Sequence, residues 1–150
     1  AGTAIAIGVH CRHVIRIRRA RGSDWAAIDD MVEQTMGGSA PHPSARDTWW
    51  IAPGAAAAAA RLWQLERAAV LTRCVVLPKY RGRGLQRRMI AARCAWARAQ
   101  GCAEVWTYTA AWNTHSANNL IRAGFVLWVP EHWGGARADP DHWLYWRRTL

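Results

Sequence analysis

The chain has 150 residues, 51% of them hydrophobic, and a formal charge of +10. This length and composition predict a single folded domain over residues 1–150, with residues 1–12 as an extra N-terminal segment, and they argue against a disordered chain. No apolar run approaches the roughly 20 residues of a membrane span, so we expect no membrane partner.

The charge and the cysteines narrow the classes of partner and compartment. The positive charge is almost all arginine, which favours partners that carry phosphate or acidic groups. The arginine cluster over residues 16–21 is compatible with nucleic-acid binding, but its alternation with Val14, Ile15 and Ile17 fits an edge strand better. The four cysteines have no metal-ligand spacing, which predicts no metal and buried thiols in a reducing cytoplasm.

The first third of the chain predicts a strand, a helix and a loop. Apolar and charged residues alternate over residues 13–20, as in a strand with one solvated face. Ser23 is a suitable N-cap for a helix over residues 24–36, whose apolar residues share one face. Glycines and two prolines then predict a loop over residues 37–44.

Six consecutive alanines at residues 55–60 follow a predicted strand over residues 47–52. Alanine is the best helix former and a poor strand former, so local propensity favours a helix. Pro53 and Gly54 instead suit a tight type II turn, because Pro53 fixes φ and Gly54 accepts a positive φ. We therefore predict that the alanines form an antiparallel hairpin partner of the preceding strand.

The second half of the chain predicts alternating strands and helices. Strand patterns occur over residues 69–77 and 103–109, with a helix from about 84 to 100 between them. A short helix follows Ser116, and residues 125–129 and 142–148 predict a final antiparallel pair. These elements predict a mixed α/β sheet.

The junction between the strand 69–77 and the following helix carries the strongest functional signal. The strand stops at Pro78, and a basic turn with Gly82 and Gly84 leads into the helix. The first N–H groups of a helix lack internal partners, and the helix dipole favours negative charge there. Four arginines add positive charge: Arg81, Arg83, Arg87 and Arg88. The sequence therefore predicts a phosphate site at this turn.

The segment Val76-x-Pro78-x-Tyr80-Arg81-Gly82-x-Gly84-Leu85 resembles the acetyl-coenzyme A motif of the GNAT family of N-acetyltransferases. The family's pattern, Gln/Arg-x-x-Gly-x-Gly/Ala, falls on Arg81, Gly84 and Gln86. Gln86 departs from the pattern, because the family usually has Gly or Ala there. The departure is compatible with cofactor binding, since backbone N–H groups make most of the family's contacts.

A second block, residues 113–125, is similar to a later motif of the same family. Asn113 is followed by a short helix for which Ser116 is a suitable N-cap. The helix ends at Gly124-Phe125, where a helix C′ residue needs a positive φ. The two blocks stand in the family's order, and the resemblance covers residues 16–148.

The resemblance implies a GNAT-like acyl-CoA N-acyltransferase fold: a central, mostly antiparallel, twisted sheet flanked by helices. Its central strands splay apart beyond the phosphate turn, and the thioester lies in that gap. Acetyl-CoA is the implied co-substrate. The implied cofactor-binding residues are Cys74, Val75 and Val76 at the acetyl and pantetheine end, Arg81, Gly82, Arg83, Gly84, Leu85, Gln86 and Arg87 at the pyrophosphate, Asn113 along the pantetheine, and Ser116. A turn or cap residue is the alternative for Asn113.

The catalytic groups are less clear than the cofactor groups. The family often has a general-acid tyrosine four residues before the Gly-Phe pair, and this chain has Leu120 there, which cannot donate a proton. Tyr108, on the strand facing the phosphate-turn strand, is the predicted substitute, with a core tyrosine as the alternative. His115 is a further candidate proton relay. No carboxylate stands out as general base; Glu33, Glu66 and Glu104 fit surface charges better.

The sequence therefore predicts a cytoplasmic, acetyl-CoA-dependent N-acetyltransferase that is a monomer or homodimer. Its acceptor is a primary amine of a small molecule, peptide or protein. The alternatives are a CoA-binding regulatory module of the same fold with little catalysis and a basic nucleic-acid-associated protein, which is not favoured. Five tryptophans are candidates for an aromatic acceptor pocket: Trp49, Trp50, Trp112, Trp128 and Trp133.

Overall fold

A computed structural model describes residues 14–37, 46–63 and 67–150 of the chain. The predicted N-terminal segment 1–12, the start of the first predicted strand, most of the loop 37–44 and Glu66 lie outside these residues. Across the described part, no helix is long and apolar enough to cross a membrane.

A seven-stranded sheet forms the centre of the molecule. The strands of the described residues are β1 (Arg18–Arg19), β2 (Thr48–Ala52), β3 (Ala56–Trp63), β4 (Ala68–Val76), β5 (Glu104–Ala110), β6 (Val126–Leu127), β7 (His132–Trp133), β8 (Ala136–Arg137) and β9 (Trp143–Thr149). The spatial order of the sheet is β1-β2-β3-β4-β5-β9-β6, and all neighbours are antiparallel except β4 and β5, which run parallel. Strands β7 and β8 form a separate hairpin.

Three α-helices cover the sheet: α1 (Trp25–Met36), α2 (Leu85–Ala99) and α3 (Thr114–Arg122). Helix α1 packs on one face, where Ile28 and Val32 contact Ile51 and Val75. Helices α2 and α3 pack on the other face, against residues that include Leu71. The predicted mixed α/β sheet flanked by helices is therefore confirmed, and the predicted elements occur in the predicted order.

The alanine-rich segment is a strand, as the turn chemistry predicts. Ala56–Trp63 pairs with β2 through Ala52↔Ala56 and with β4 on its other side. The turn is closed by the Ala55 N–H, which donates to the Ala52 carbonyl at 2.9 Å, and Gly54 has φ 69°. The alanines are fully buried because α1 covers one face of β3 and α2 the other. Burial and ladder hydrogen bonds outweigh the low strand propensity of alanine.

The central strands β4 and β5 part after a short contact. Their pairing is confined to Ala68–Val70 against Glu104–Trp106, although β4 continues to Val76 and β5 to Ala110. At the opening, Thr107 Oγ1 donates a hydrogen bond to the Leu71 carbonyl at 3.0 Å. The splayed centre that the family resemblance implies is therefore present, and we call it the β4–β5 gap.

Candidate active site

The glycine turn, residues 81–84, joins the gap to α2. Gly82 and Gly84 have φ values of 74° and 72°, in the left-handed region that disfavours other residues. A Cβ atom built on either glycine would meet nothing within 4 Å, so the outer side of the turn is open to a ligand. The Arg88 N–H donates to the Gly84 carbonyl at 3.1 Å. The N–H groups of residues 84–87 therefore lack acceptors inside the helix, as an anion site requires.

The arginines around this turn have different roles. Arg81 Nε donates to the Val76 carbonyl at 3.2 Å, which fastens the turn to the end of β4. The Arg88 guanidinium donates to the Ile15 carbonyl at 2.6 Å, so it ties α2 to the segment before β1. Arg83 lies over the Tyr80 ring, and Arg87 is exposed. The turn thus keeps positive charge at its open side, which favours a phosphate ligand.

The stretch from Cys74 to Val76 borders the gap with its main chain. The Leu77 N–H donates to the carbonyl of Ala55, the residue just before β3, so by antiparallel alternation Cys74 and Val76 direct main-chain groups toward the gap. The Cys74 side chain packs toward the core on the α2 face. Burial raises the pKa of the Cys74 thiol, which keeps it neutral. Cys74 therefore offers backbone groups rather than a nucleophile.

Gln86 is turned away from the glycine turn and bridges α2 to α3. Its Nε2 donates to Ser116 Oγ at 3.0 Å, and its Oε1 accepts from Asn119 Nδ2 at 2.8 Å. Asn119 Nδ2 also lies 3.3 Å from His115 Nε2. The side chain at position 86, where the chain departs from the family motif, is thus bound by α3. It therefore leaves the N–H groups of the glycine turn uncovered.

The N-cap of α3 differs from the sequence expectation. The helix begins at Thr114, and Asn113 is its N-cap, because Asn113 Oδ1 accepts from the Ser116 N–H at 3.2 Å. The prediction that Ser116 caps this helix is therefore wrong: Ser116 is the third helical residue and provides the N–H that is capped. The cap uses only the Oδ1 atom of Asn113, so its amide group stays available to a ligand.

A strand end, an open glycine turn and a parted pair of strands together match a known family. The sequence model of the Acetyltransferase (GNAT) family matches residues 20–125. The chain belongs to the GNAT acetyltransferase family. A search of curated proteins finds no match.

Solved structures share the GNAT fold with this chain. The ribosomal-protein-S18-alanine N-acetyltransferase from Escherichia coli has a TM-score of 0.70 at 17% identity, covering 89% of this chain and 92% of that chain. YncA from Salmonella typhimurium, solved with its cofactor acetyl-CoA, has a TM-score of 0.70 at 18% identity, covering 90% and 93%. A Bacillus subtilis acetyltransferase in complex with CoA has a TM-score of 0.68 at 12% identity, covering 90% and 98%.

Tyr108 lies on the face of the gap opposite α2. It is 40% exposed, and its ring stands edge-on to Trp133 and Trp143, with centroids 5.7 Å and 5.1 Å away. On the other strand, Thr72 lies two residues beyond Val70, the last β4 residue that pairs with β5. The Thr72 Oγ1 atom is buried and has no hydrogen-bond partner among the described residues. Sequence patterns gave no signal for this buried hydroxyl, which lies just after the point where β4 and β5 part.

The remaining candidates for a catalytic role have structural roles or lie on the surface. Leu120 is buried at 4% exposure and packs in the core, so it cannot replace the GNAT tyrosine. Glu104 accepts a hydrogen bond from Trp106 Nε1 at 2.8 Å at the closed end of the gap, which is a structural role. Glu33 is exposed on α1, and His115 belongs to the Gln86 network. None of these groups is a general base at the gap.

Seven aromatic rings form what we call the aromatic layer on the Tyr108 face of the sheet. Trp133, from the β7–β8 hairpin, contacts five of the other rings, with centroids 5.2–6.5 Å apart. The layer consists of Trp63, Trp106, Tyr108, Trp128, Trp133, Trp143 and Tyr145.

The structure separates the five tryptophans that the sequence offers as candidates for an acceptor pocket. Trp128 and Trp133 belong to the aromatic layer, but Trp49 packs with Trp25 under α1. Trp50 packs with Trp96 on the α2 face, and Trp112 is 82% exposed. Trp49 and Trp50 are adjacent in a strand, so they face opposite sides of the sheet and cannot both line one pocket.

Proposed function

We propose that this GNAT protein transfers the acetyl group of acetyl-CoA to a primary amine of a small molecule, peptide or protein. The observation that carries the proposal is the continuity between the open glycine turn and the β4–β5 gap. The turn provides uncovered N–H groups for a pyrophosphate, and the gap begins at the strand that leads into that turn. The CoA and acetyl-CoA complexes among the structural neighbours support the same co-substrate.

Each part of the co-substrate has a matching part of the chain. The N–H groups of residues 84–87 and the nearby arginines suit the pyrophosphate. The main-chain groups of Cys74 and Val76 that face the gap suit the polar pantetheine and thioester atoms. Because the gap has a closed end at Val70, the thioester has a fixed depth to which the acceptor nitrogen must reach.

The transfer itself needs a neutral amine and a stabilised leaving group. The amine nitrogen bonds to the thioester carbonyl carbon, the carbon–sulfur bond breaks, and CoA leaves as a thiolate that takes a proton. Tyr108 is the proposed proton donor, since it borders the gap on the face opposite α2. The amine proton passes to solvent, because Glu33 is exposed on α1 and Glu104 accepts a hydrogen bond from Trp106 Nε1 at the closed end of the gap.

We also propose an acceptor side and a compartment. Since α2 and the glycine turn occupy one face, the amine approaches from the face of Tyr108 and the aromatic layer. Cys74, Cys94 and Cys102 are free thiols, which supports a reducing cytoplasmic location.

The experiment is a binding measurement followed by an acetyl-transfer assay. Calorimetry with CoA and acetyl-CoA should give one site per chain. A panel of primary amines, including polyamines, aromatic amines and peptides with free N-termini, should then show thiol release and a product 42 Da heavier by mass spectrometry, the mass of one added acetyl group.

The outcomes of that experiment distinguish the proposed function from its two alternatives. Cofactor binding with no acetylated product from any acceptor would leave the CoA-binding module as the function. Absence of cofactor binding by the folded chain would refute the proposal. Binding to DNA or RNA that falls steeply with salt, without cofactor binding, would favour the nucleic-acid reading.

A further inference from the structure

Helix α2 carries a charged side chain in its buried row. Arg93 is 3% exposed, and it follows Met89 and precedes Ala97 on the side of α2 that packs on the sheet. An apolar residue would satisfy the packing there without the desolvation cost of a buried cation. Burial lowers the pKa of the Arg93 guanidinium, because desolvation disfavours its charged form. The side chain therefore requires an explanation other than packing.

The hydrogen bonds of Arg93 all end on main-chain carbonyl groups. Its Nε donates to the Met89 carbonyl of its own helix at 3.1 Å. Its Nη1 donates to two carbonyls of the sheet, that of Ala59 on β3 at 3.0 Å and that of Arg73 on β4 at 3.1 Å. Arg93 thus joins two strands that already pair with each other.

The two sheet carbonyls belong to a β-bulge. Ala59 pairs with Arg73, but the next residue, Ala60, pairs with Leu71, which leaves Thr72 as the extra residue of β4. A bulge disrupts the ladder, bends the strand and leaves backbone groups that need other partners. Arg93 donates to two carbonyls at this bulge, that of Ala59 in a buried hydrogen bond and that of Arg73 in a partly buried one.

The bulge lies at the point where the gap opens. β4 leaves β5 after Val70, the extra residue is Thr72, and the predicted thioester stretch, residues 74–76, follows directly. A one-residue slip of β4 would exchange the faces of Cys74 and Val75, which now point to α2 and α1 respectively. The conformation that Arg93 stabilises is therefore the one that aims the main chain of β4 into the gap.

We propose that Arg93 is a positioning residue for acetyl transfer, which binds the carbonyls of Ala59 and Arg73 and thereby holds residues 74–76 in the geometry that receives the thioester. This role rests on the proposed function. It acts through the backbone, so it affects the chemical step more than the affinity for the cofactor, whose pyrophosphate binds at the separate glycine turn.

The test compares Arg93→Met with Arg93→Lys and with Arg98→Met, a matched removal of an exposed arginine from the same helix. Arg93→Met should lower kcat at least tenfold while the Kd for CoA changes less than threefold. Arg93→Lys restores a cation with N–H donors and should recover part of kcat. Arg98→Met should keep the kcat and Kd of the unchanged protein. If Arg93→Met does not fold, Arg93→Gln, which keeps a shorter N–H donor, takes its place. Its kcat should fall by a smaller factor, again with little change in the Kd for CoA.

Hydrogen exchange decides the role independently of turnover. The amides of residues 72–76 should exchange at least tenfold faster in the Arg93 variants than in Arg98→Met. A folded Arg93→Met or Arg93→Gln with unchanged kcat, or with unchanged exchange at these amides, would overturn the proposal even if its Tm fell. If the unchanged protein transfers no acetyl group, the proposed function fails, and exchange alone then decides whether Arg93 holds this segment.

Discussion

The two sides of the β4–β5 gap are built from different chemistry. On the α2 side, backbone N–H groups, two left-handed glycines and exposed arginines lie within the contiguous residues 74–88. On the opposite side, the aromatic layer gathers seven rings from β3, β5, β7, β9 and the link after β6. One side is made of main chain from one segment, and the other is made of side chains from five.

This difference separates what each side can recognise. Main-chain N–H groups at a helix start bind a phosphate with little dependence on the neighbouring side chains, provided that the turn keeps its shape. Packed aromatic side chains determine the shape and polarity of an opening and are altered by single substitutions. We therefore expect changes on the α2 side to affect cofactor affinity and changes in the aromatic layer to affect acceptor use.

The largest expected effect is on the α2 side. Gly84→Val forces a β-branched residue to φ 72° and places its side chain in the open space of the turn. The Kd for CoA should rise at least ~100-fold, or about 2.7 kcal/mol, by calorimetry on the folded variant. Gly101→Val is the matched control, since Gly101 has φ 78° at the other end of α2. Equal loss of affinity in both variants would show that strain, and not access to the turn, is responsible.

Tyr108→Phe should give the next largest effect, on the opposite side of the gap. The substitution keeps the ring in the aromatic layer and removes only the proposed proton donor. We expect kcat on a good acceptor to fall about 100-fold, at the lower end of general-acid catalysis, with the Kd for CoA unchanged.

The control for Tyr108→Phe is Tyr145→Phe, in the same layer. The Tyr145 hydroxyl accepts a hydrogen bond from the Asp139 N–H at 2.9 Å. Its loss should cost about 1 kcal/mol of stability and leave kcat nearly unchanged. A Tyr108→Phe variant with unaltered kcat would remove Tyr108 from the mechanism and leave it as a packing residue.

The contrast also explains what the sequence could reveal. The glycine turn was predictable because the strand end, the glycines and the helix start are adjacent, and each has a local physical meaning. The alanine strand was predictable because the Pro53-Gly54 turn fixes a hairpin. The roles of Arg93 and the tryptophans were not predictable, because Arg93 contacts carbonyls 20 and 34 residues away, and each ring's partners depend on the register of distant strands.

The N-cap of α3 shows a subtler limit. Asn113 and Ser116 are both good N-cap residues, and they stand three positions apart, which is the spacing between a cap and the N–H that it binds. Local preference therefore allows two helix starts. The choice of Asn113 lets Ser116 meet Gln86 of α2, a contact that requires the tertiary structure.

Trp133→Ala should have an effect of intermediate size, confined to the aromatic side. Trp133 contacts five rings of the layer and is half-buried, so its removal should lower the free energy of unfolding by about 2 kcal/mol, less than a fully buried tryptophan. The acceptor KM should rise severalfold while the Kd for CoA stays constant. Denaturant unfolding and steady-state kinetics measure the two effects. A change in the Kd for CoA as large as the change in KM would mean that the two sides are not independent.

The smallest expected effect is a pH dependence of the local stability of residues 139–143, which join the β7–β8 hairpin to β9. His142 Nδ1 lies 2.9 Å from Asp139 Oδ2, and this hydrogen bond, with the nearby Asp139 and Asp141 charges, raises the pKa of His142 above 6.5. A raised folded-state pKa means that the stabilisation is fully present below pH 6.5 and is lost as the pH rises through the folded pKa. The effect is small because both side chains are exposed to water. Hydrogen exchange of the amides of residues 139–143, corrected for its intrinsic pH dependence, should therefore accelerate above that pKa, while the amides of residues 84–88 should show no such step. His142→Gln should abolish the step, and its persistence in that variant would assign the pH dependence to another group.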